Sequence, residues 1–244
     1  MDDREHSAIR PLTFGKSCLK NSSGSAMLNL GQTKILTSVY GPYAMRDVDA
    51  SANEKDIIEE NNSHCIITVE VRYGAQGRSD LTSFKPEGVN SLNRIKNDDE
   101  KELSKIVGDA VRASIDQSQY DNTCIDVHVH VLQSNGGVLD SSVNCASLAL
   151  ADAKIKQLDT VTACTVAVLK TANETETEGY VLVADPSFEE TKSASGLVTV
   201  VMLPTLDKMV SWSQTGRVPV NTVHTGIDMC KSGCKLSNTL LSQD

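Results

Sequence analysis

The chain has 244 residues, 39% of them apolar and 23% charged, and a formal net charge of −9. That length fits one large domain or two small ones, and either arrangement buries a substantial core. The acidic balance argues against strong phosphate-backbone binding by the chain alone, since such affinity comes from clustered Lys and Arg.

In chain order, Ser25–Leu30 and Thr33–Tyr40 read as two strands joined by Gly31-Gln32, with glycine first in a turn that matches strand twist. Gly41-Pro42 is expected to close this hairpin, and residues 1–24 to form an N-terminal extension ahead of it. The segment Arg46–Asn62 carries six acids against Arg46 and Lys55, so residues 44–63 are expected to be an acidic, mobile loop. A third strand follows at Cys65–Val71, then a polar, glycine-containing connection over Gly74–Lys96.

The first helix is predicted over Asp98–Ser118, where Leu103, Ile106, Val107, Ala110, Val111 and Ile115 recur at helical spacing. Ile125–Val131 alternates strictly between apolar and polar residues, as a strand with one buried face does. Val143–Ala153 consists mostly of Ala, Leu, Cys and Ser, a composition suited to a helix packed on more than one side. Further strands are predicted at Val161–Leu169, Tyr180–Ala184, Leu197–Leu203 and Lys208–Ser213, with a weaker helix over Asn221–Leu241. The expected class is a single α+β domain with helices against a mixed sheet.

Five short motifs stand in order along the chain: Gly24-Ser25-Ala26, Gly31-Gln32-Thr33-Lys34, Val39-Tyr40-Gly41-Pro42, Leu132–Gly137 and Ser147–Ala153. Together they resemble the ribonuclease PH family, most closely its degenerate eukaryotic RNA exosome ring subunits. The resemblance implies a ribonuclease PH-like fold over residues 1–244 and assembly into six-membered rings. It also implies partners: other ribonuclease PH-like exosome subunits, RNA-binding cap subunits, and RNA through the assembled complex. Nucleus, nucleolus and cytoplasm are the locations it implies, with roles in rRNA processing and RNA degradation.

Active members of the family cleave RNA from the 3′ end with phosphate as nucleophile, which needs cations for the phosphate and a carboxylate at the leaving oxygen. At the positions matching their arginine pair this chain has Asp98 and Asp99, and further along the same helix it has Gly108-Asp109. Val138 and Leu139 replace the Ser/Thr and Arg that follow the paired glycines. At about 4 Å and an effective dielectric of ~20, an arginine-to-aspartate change turns about −4 kcal/mol into about +4. Asp98 and Asp99 also admit a structural role as acids at a helix N-terminus.

Asp185, in Val183-Ala184-Asp185-Pro186, matches the first of the family's paired carboxylates, while the second position falls at Thr191 with Glu189 and Glu190 beside it. Its structural alternative is a strand-ending turn. The resemblance therefore implies a non-catalytic ring subunit, no cofactor and no metal, with a residual phosphorolytic or hydrolytic nuclease using Asp185 as the alternative. A small-molecule-binding α+β protein with accidental motif matches is a third reading.

Arg72, Arg78, Lys85, Arg94 and Lys96 flank the long connection before the first helix and are candidate RNA contacts in an assembled ring; a solvated surface is the alternative. His128 and His130 share a strand face, and Cys230 and Cys234 are spaced like half a zinc site, but neither pair has further ligands nearby in sequence. A polar strand face and buried helix cysteines are expected instead. The seven cysteines, odd in number, point to a reducing, intracellular compartment. The first residues lack the apolar core of a signal peptide, and no apolar run approaches bilayer-spanning length, so no membrane association is expected.

Overall fold

The computed structural model describes residues 8–44, 65–74, 89–171 and 179–242, with backbone only for 89–97 and 171. A first sheet contains β1 (Leu12–Lys16), β2 (Gly24–Leu30), β3 (Thr33–Ala44), β4 (Ile66–Tyr73) and β5 (Thr123–Gln133), in the order β1-β2-β3-β5-β4. Its pairs are antiparallel except β4 with β5, which are parallel. A parallel pair needs a crossover, and α1 (Val89–Ser114) supplies it. A second, antiparallel sheet has the order β7-β6-β8-β9, built from β6 (Thr162–Thr171), β7 (Gly179–Ala184), β8 (Gly196–Leu203) and β9 (Lys208–Gly216). The expected α+β class and mixed sheet are present, and a second, antiparallel sheet stands beside the mixed one, since the described strands after β5 pair only among themselves.

The helix α2 (Val138–Asp152) packs on β2 and β3 of the first sheet and on β6 of the second. Every residue from Asp140 to Leu150 is buried, which explains its small side chains: two sheets approach one helix and leave room for little else. On β5, Ile125, Val127, Val129 and Val131 are fully buried on the helix side, while Asp126, His128 and His130 point away. In α1 the stripe of Val107, Ala110 and Val111 joins the same core. The final helix, α4 (Val220–Leu241), covers β6 and β8 and closes a second apolar cluster around Val198, Val200, Cys164, Cys230 and Cys234. No helix among the described residues is long and apolar enough to cross a membrane.

The outer edge of β4 is covered by α1. Ser104 Oγ accepts from Val71 N at 2.9 Å, Glu100 Oε1 accepts from Tyr73 N at 3.3 Å, and Arg112 Nη2 donates to Ile67 O at 3.4 Å. Side chains thereby satisfy backbone groups that would otherwise recruit another strand.

Several boundaries differ from the sequence reading. Residues 12–16 of the expected N-terminal extension form β1, an edge strand paired with β2. Pairing of β2 with β3 ends at Val39, just before Gly41-Pro42, as expected, but β3 itself runs on along β5 to Ala44 past a register shift between Tyr40 and Tyr43. The helix α1 starts at Val89, so Asp98 and Asp99 lie well inside it and cannot act as N-terminal acids. It stops at Ser114 because the next residues pair elsewhere, with Ile115 bridged to Gln157 and Leu158 N bonded to Ser114 O at 2.7 Å. The acidic segment 45–63 lies outside the described residues.

At Gly24, β2 and α2 nearly touch: a Cβ there would sit 2.2 Å from Ala153 N and 2.6 Å from Ala149 O, both backbone. Gly24→Ala is expected to cost about 2–3 kcal/mol through forced separation of sheet and helix. Gly15→Ala, whose nearest neighbour is Cys18 Sγ at 3.7 Å, is expected to stay within about 1 kcal/mol of wild type. Urea denaturation of the two variants measures the contrast.

Candidate functional site

Three connections meet at the N-terminus of α2: the segment entering β1, the loop from β5, and the turn from β7 into α3 (Phe188–Ser193). The β5–α2 loop turns through Gly136 and Gly137, at φ +82° and +64°. A Cβ on Gly136 would lie 2.5 Å from Pro186 O, so the loop and the β7–α3 turn approach at backbone distance. Thr33, at the β2–β3 turn, fixes the loop from the other side: its Oγ1 donates to Gly136 O at 2.7 Å and accepts from Asn135 N at 3.0 Å.

Arg10 lies at the centre of this meeting point. Its backbone N and Nε both donate to Asp185 Oδ2 at 2.9 Å, and Nη2 donates to Asp185 Oδ1 at 2.6 Å. Nη1 donates to Asn135 O at 2.7 Å. The two side chains are 5% and 3% exposed. Burial works against the charged guanidinium, yet its bonds to Asp185 hold its pKa above the ordinary value. Asp185 itself takes φ +49° and donates its N–H to Thr165 O at 2.8 Å, which sets the turn out of β7. The turn expected from Asp185-Pro186 is therefore present, held by an ion pair across 175 residues.

Asp140 is the third buried charge group, in the first turn of α2. Its side-chain Oδ1 has no hydrogen-bond partner among the described residues. Burial first, then the negative charge of Asp185, pushes its pKa up to about 7, against the pull of Arg10 and of the Asp140 and Thr165 amides. Glu190 adds a further negative charge near Arg10. Its carboxylate also closes a capping box, accepting from Ser187 N at 2.8 Å while Ser187 Oγ accepts from Glu190 N. Thr191 Oγ1 donates to Ser187 O at 2.8 Å, and Glu189 is exposed.

The structure thus brings Asp185, Val138 and Leu139 to one end of α2, with Thr191 in the short helix that follows Asp185. Asp98, Asp99 and Asp109 make no hydrogen bond or ion pair with this cluster; Asp109 is exposed and pairs with Arg112 at 3.0 Å. Of the RNA-contact candidates, Arg72 is bound to Glu70 on the same strand, with Nε at 2.8 Å. Arg78 and Lys85 lie outside the described residues, and Arg94 and Lys96 are described only as backbone within α1. A cavity of about 270 Å³ lined by Glu70, Arg72, Glu100, Lys101 and Ser104 sits between β4 and α1 and mixes both signs of charge.

The two histidines lie on the outward face of β5, where His128 Nδ1 is 3.4 Å from Glu70 Oε2. Cys230 and Cys234 are buried in α4, their thiols donating to Val198 O at 3.4 Å and to Val200 O at 3.7 Å. Among the described residues no group of three or more His, Cys, Asp or Glu is placed to hold a metal.

Sequence reasoning missed Arg10 and Asp140. Nothing local marks either: Arg10 gains meaning only from a partner 175 residues away, and an acid in the first turn of a helix is ordinary. Chemically, one cation already bonded to Asp185 faces three acids at this end of α2. Among the described residues the arrangement offers a free phosphate anion neither a spare cation nor a favourable field.

Residues 8–156 match the model of the 3′ exoribonuclease family, domain 1, which is the ribonuclease PH family, and the chain belongs to that family. It is 26% identical over 235 residues to the exosome complex component RRP41 homolog of Arabidopsis thaliana, covering 96% of this chain and 86% of that protein. The exosome complex component Rrp41 of Methanopyrus kandleri is 29% identical over 237 residues, 97% and 87% of the two chains. The fold matches that of rice Rrp46 with a TM-score of 0.75 at 18% identity, over 99% and 98% of the chains. It also matches a chain of the Archaeoglobus fulgidus exosome with RNA bound to the active site, with a TM-score of 0.71 at 19% identity over 98% and 92%.

Removing one partner of a buried ion pair strands the other charge and costs about 3–5 kcal/mol. Arg10→Met and Asp185→Asn are each expected to lose stability on that scale, and the double variant to lose less than the sum, because no charge of the pair is left unmatched. A double-mutant cycle by chemical denaturation reads the coupling directly.

Proposed function

We propose that this chain is a non-catalytic structural subunit of an RNA exosome ring, supporting 3′-to-5′ RNA processing and degradation by its assembly. The carrying observation is the state of the α2 N-terminus. There both oxygens of Asp185 accept from Arg10, Val138 and Leu139 offer no polar contact, and Asp140 adds a buried acid. A phosphorolytic centre needs preorganised cations where the phosphate charge must sit, and the described residues at this end of the fold have the opposite balance. The partners in this reading are other ribonuclease PH-like subunits, RNA-binding cap subunits and RNA held by the complete complex, in nucleus, nucleolus and cytoplasm.

The names of the relatives favour a second reading, since several are Rrp41 components and one structural neighbour is described with RNA in an active site. In it, the chain is a residual phosphorolytic or hydrolytic nuclease that uses Asp185. Such a role requires Asp185 to leave Arg10, which would leave two charges buried without their partner.

Highly purified protein is expected to release no nucleotides from single-stranded RNA, with or without phosphate, above the level of an Asp185→Asn preparation kept at a temperature where both are folded. Phosphate-dependent release of nucleoside diphosphates that vanishes in the variant would overturn the structural reading. Hydrolytic release that vanishes would do the same. Co-purification with a ribonuclease PH-like subunit is the matching positive measurement.

A further inference from the structure

The end of α2 holds a feature that neither a ring subunit nor a nuclease requires. Arg10 Nη2, Asp185 Oδ1 and Asp140 Oδ1 lie 2.8, 3.2 and 3.3 Å from the point where a side chain on Gly137 would begin. Two carboxyl groups and one guanidinium therefore converge on a residue that has no side chain to separate them. Asp140 is 3% exposed, and its Oδ1 has no hydrogen-bond partner among the described residues. Asp185, in contrast, receives three hydrogen bonds from Arg10 alone.

Two buried carboxylates cannot share one guanidinium equally. Either one of them carries a proton, or they compete. We propose that Asp140 is a proton switch on the Arg10 clasp: protonated, it leaves Arg10 wholly to Asp185 and the clasp closed; ionised, it draws Arg10 away and loosens the segment that leads into β1.

The groups facing Asp140 from each packed element support this assignment. Arg10 on the N-terminal segment is the cation; Asp185 after β7 and Glu190 in α3 bring negative charge to the same cluster. From β6 and α4 come Cys164 and Cys234, thiols that burial and neighbouring groups hold in their neutral form. Among the described residues, Arg10 is the cation whose charge acts on Asp140. The position at a helix N-terminus and the amides of Asp140 and Thr165 favour the ionised form, so neither state is out of reach. Burial and the charge of Asp185 place the transition at about 7.

The sign follows from linkage. A carboxyl that holds its proton longer folded than unfolded loses stabilising contribution as pH rises from the ordinary carboxylate range toward its folded value. The clasp is thus firm below neutrality and looser above it. What it restrains is local. Arg10 also packs under Gly31, 3.2 Å from a Cβ there, and Gly31 N donates to Pro11 O at 3.0 Å. Ile9 reaches α4 beside Gly233. Because β1 is an edge strand, the switch sets how firmly one border of the first sheet is held.

Hydrogen exchange followed by mass spectrometry on the isolated full chain tests this without reference to any assembly. After correction for intrinsic rates, protection of residues 8–16 and 184–194 is expected to fall about tenfold between about pH 6 and about pH 8, while residues 220–241 stay constant. Asp140→Asn, a neutral isostere, is expected to hold the high-protection level throughout. A wild type without this pH dependence, or a variant that keeps it, overturns the proposal. Should the variant fail to fold, carboxyl-labelled aspartate observed by NMR in the wild type still decides. One buried aspartate titrating near neutrality supports the switch, and all of them titrating in the ordinary range, near ~4, removes it.

Discussion

The pair formed by Arg10 and Asp185 is the constraint on which the rest of this fold leans. Its members come from the beginning of the chain and from the turn after β7, and Arg10 also holds the carbonyl of Asn135 in the loop that starts α2. One guanidinium therefore joins the first sheet, the central helix and the second sheet. Such a pair is weak evidence of net stability, because desolvating both charges consumes much of their attraction. Its effect is on geometry: with both groups buried, any arrangement that separates them leaves charge without compensation, and competing arrangements are disfavoured more than the native one is favoured.

The central helix answers the same demand by polar means. Cys145 Sγ donates to Ala26 O at 3.3 Å on the first sheet. On the opposite side Asn144 Oδ1 accepts from Ala163 N at 3.0 Å and Ser147 Oγ accepts from Val161 N at 3.2 Å. Asp152, near the helix end, accepts from Ser17 N at 3.1 Å and Ser25 N at 2.8 Å, which pins the connection between β1 and β2. A helix of large apolar residues would fill the space between two sheets only by pushing them apart; small residues bring backbone close, and their hydroxyl, amide and thiol groups then meet backbone partners at bonding distance.

Much of this was legible in the residues, and what was not has physical causes. The alternation on β5 and the apolar stripe of α1 announce themselves because one buried face imposes a period on the sequence. The small-residue run of α2 likewise implies close packing on several sides. The start of α1 was hidden because Val89–Asn97 carries three Asn and one Ser, weak helix formers that read as loop. The start of α2 was hidden because Val138–Ser142 has weak helix formers and begins after a glycine in the left-handed region. That the strands divide into two sheets could not be read at all, since pairing partners are set by tertiary contacts rather than by any strand's own pattern. Of the site, Asp185 and the uncharged Val138 and Leu139 were identified in sequence, but the meaning of Asp185 changed once its partner was seen.

The pairing also sets the electrostatics at this end of α2. A helix N-terminus with close glycines is suited to an anion, since backbone N–H groups and the helix dipole point the same way. Here an anion is supplied from within: Asp185 is held by Arg10 beside the first turn of α2, where Asp140 adds a second buried carboxyl. At an effective dielectric of ~20, one added charge at about 4 Å amounts to about 4 kcal/mol, so each charge gained or lost here weighs heavily on any further anion. The glycines, the loop and the turn serve packing as well: a Cβ on Gly136 would lie 2.5 Å from Pro186 O. The charges that set this field, Arg10, Asp140 and Asp185, are few and buried, and they stand on the same elements that fix the packing of the two sheets on α2.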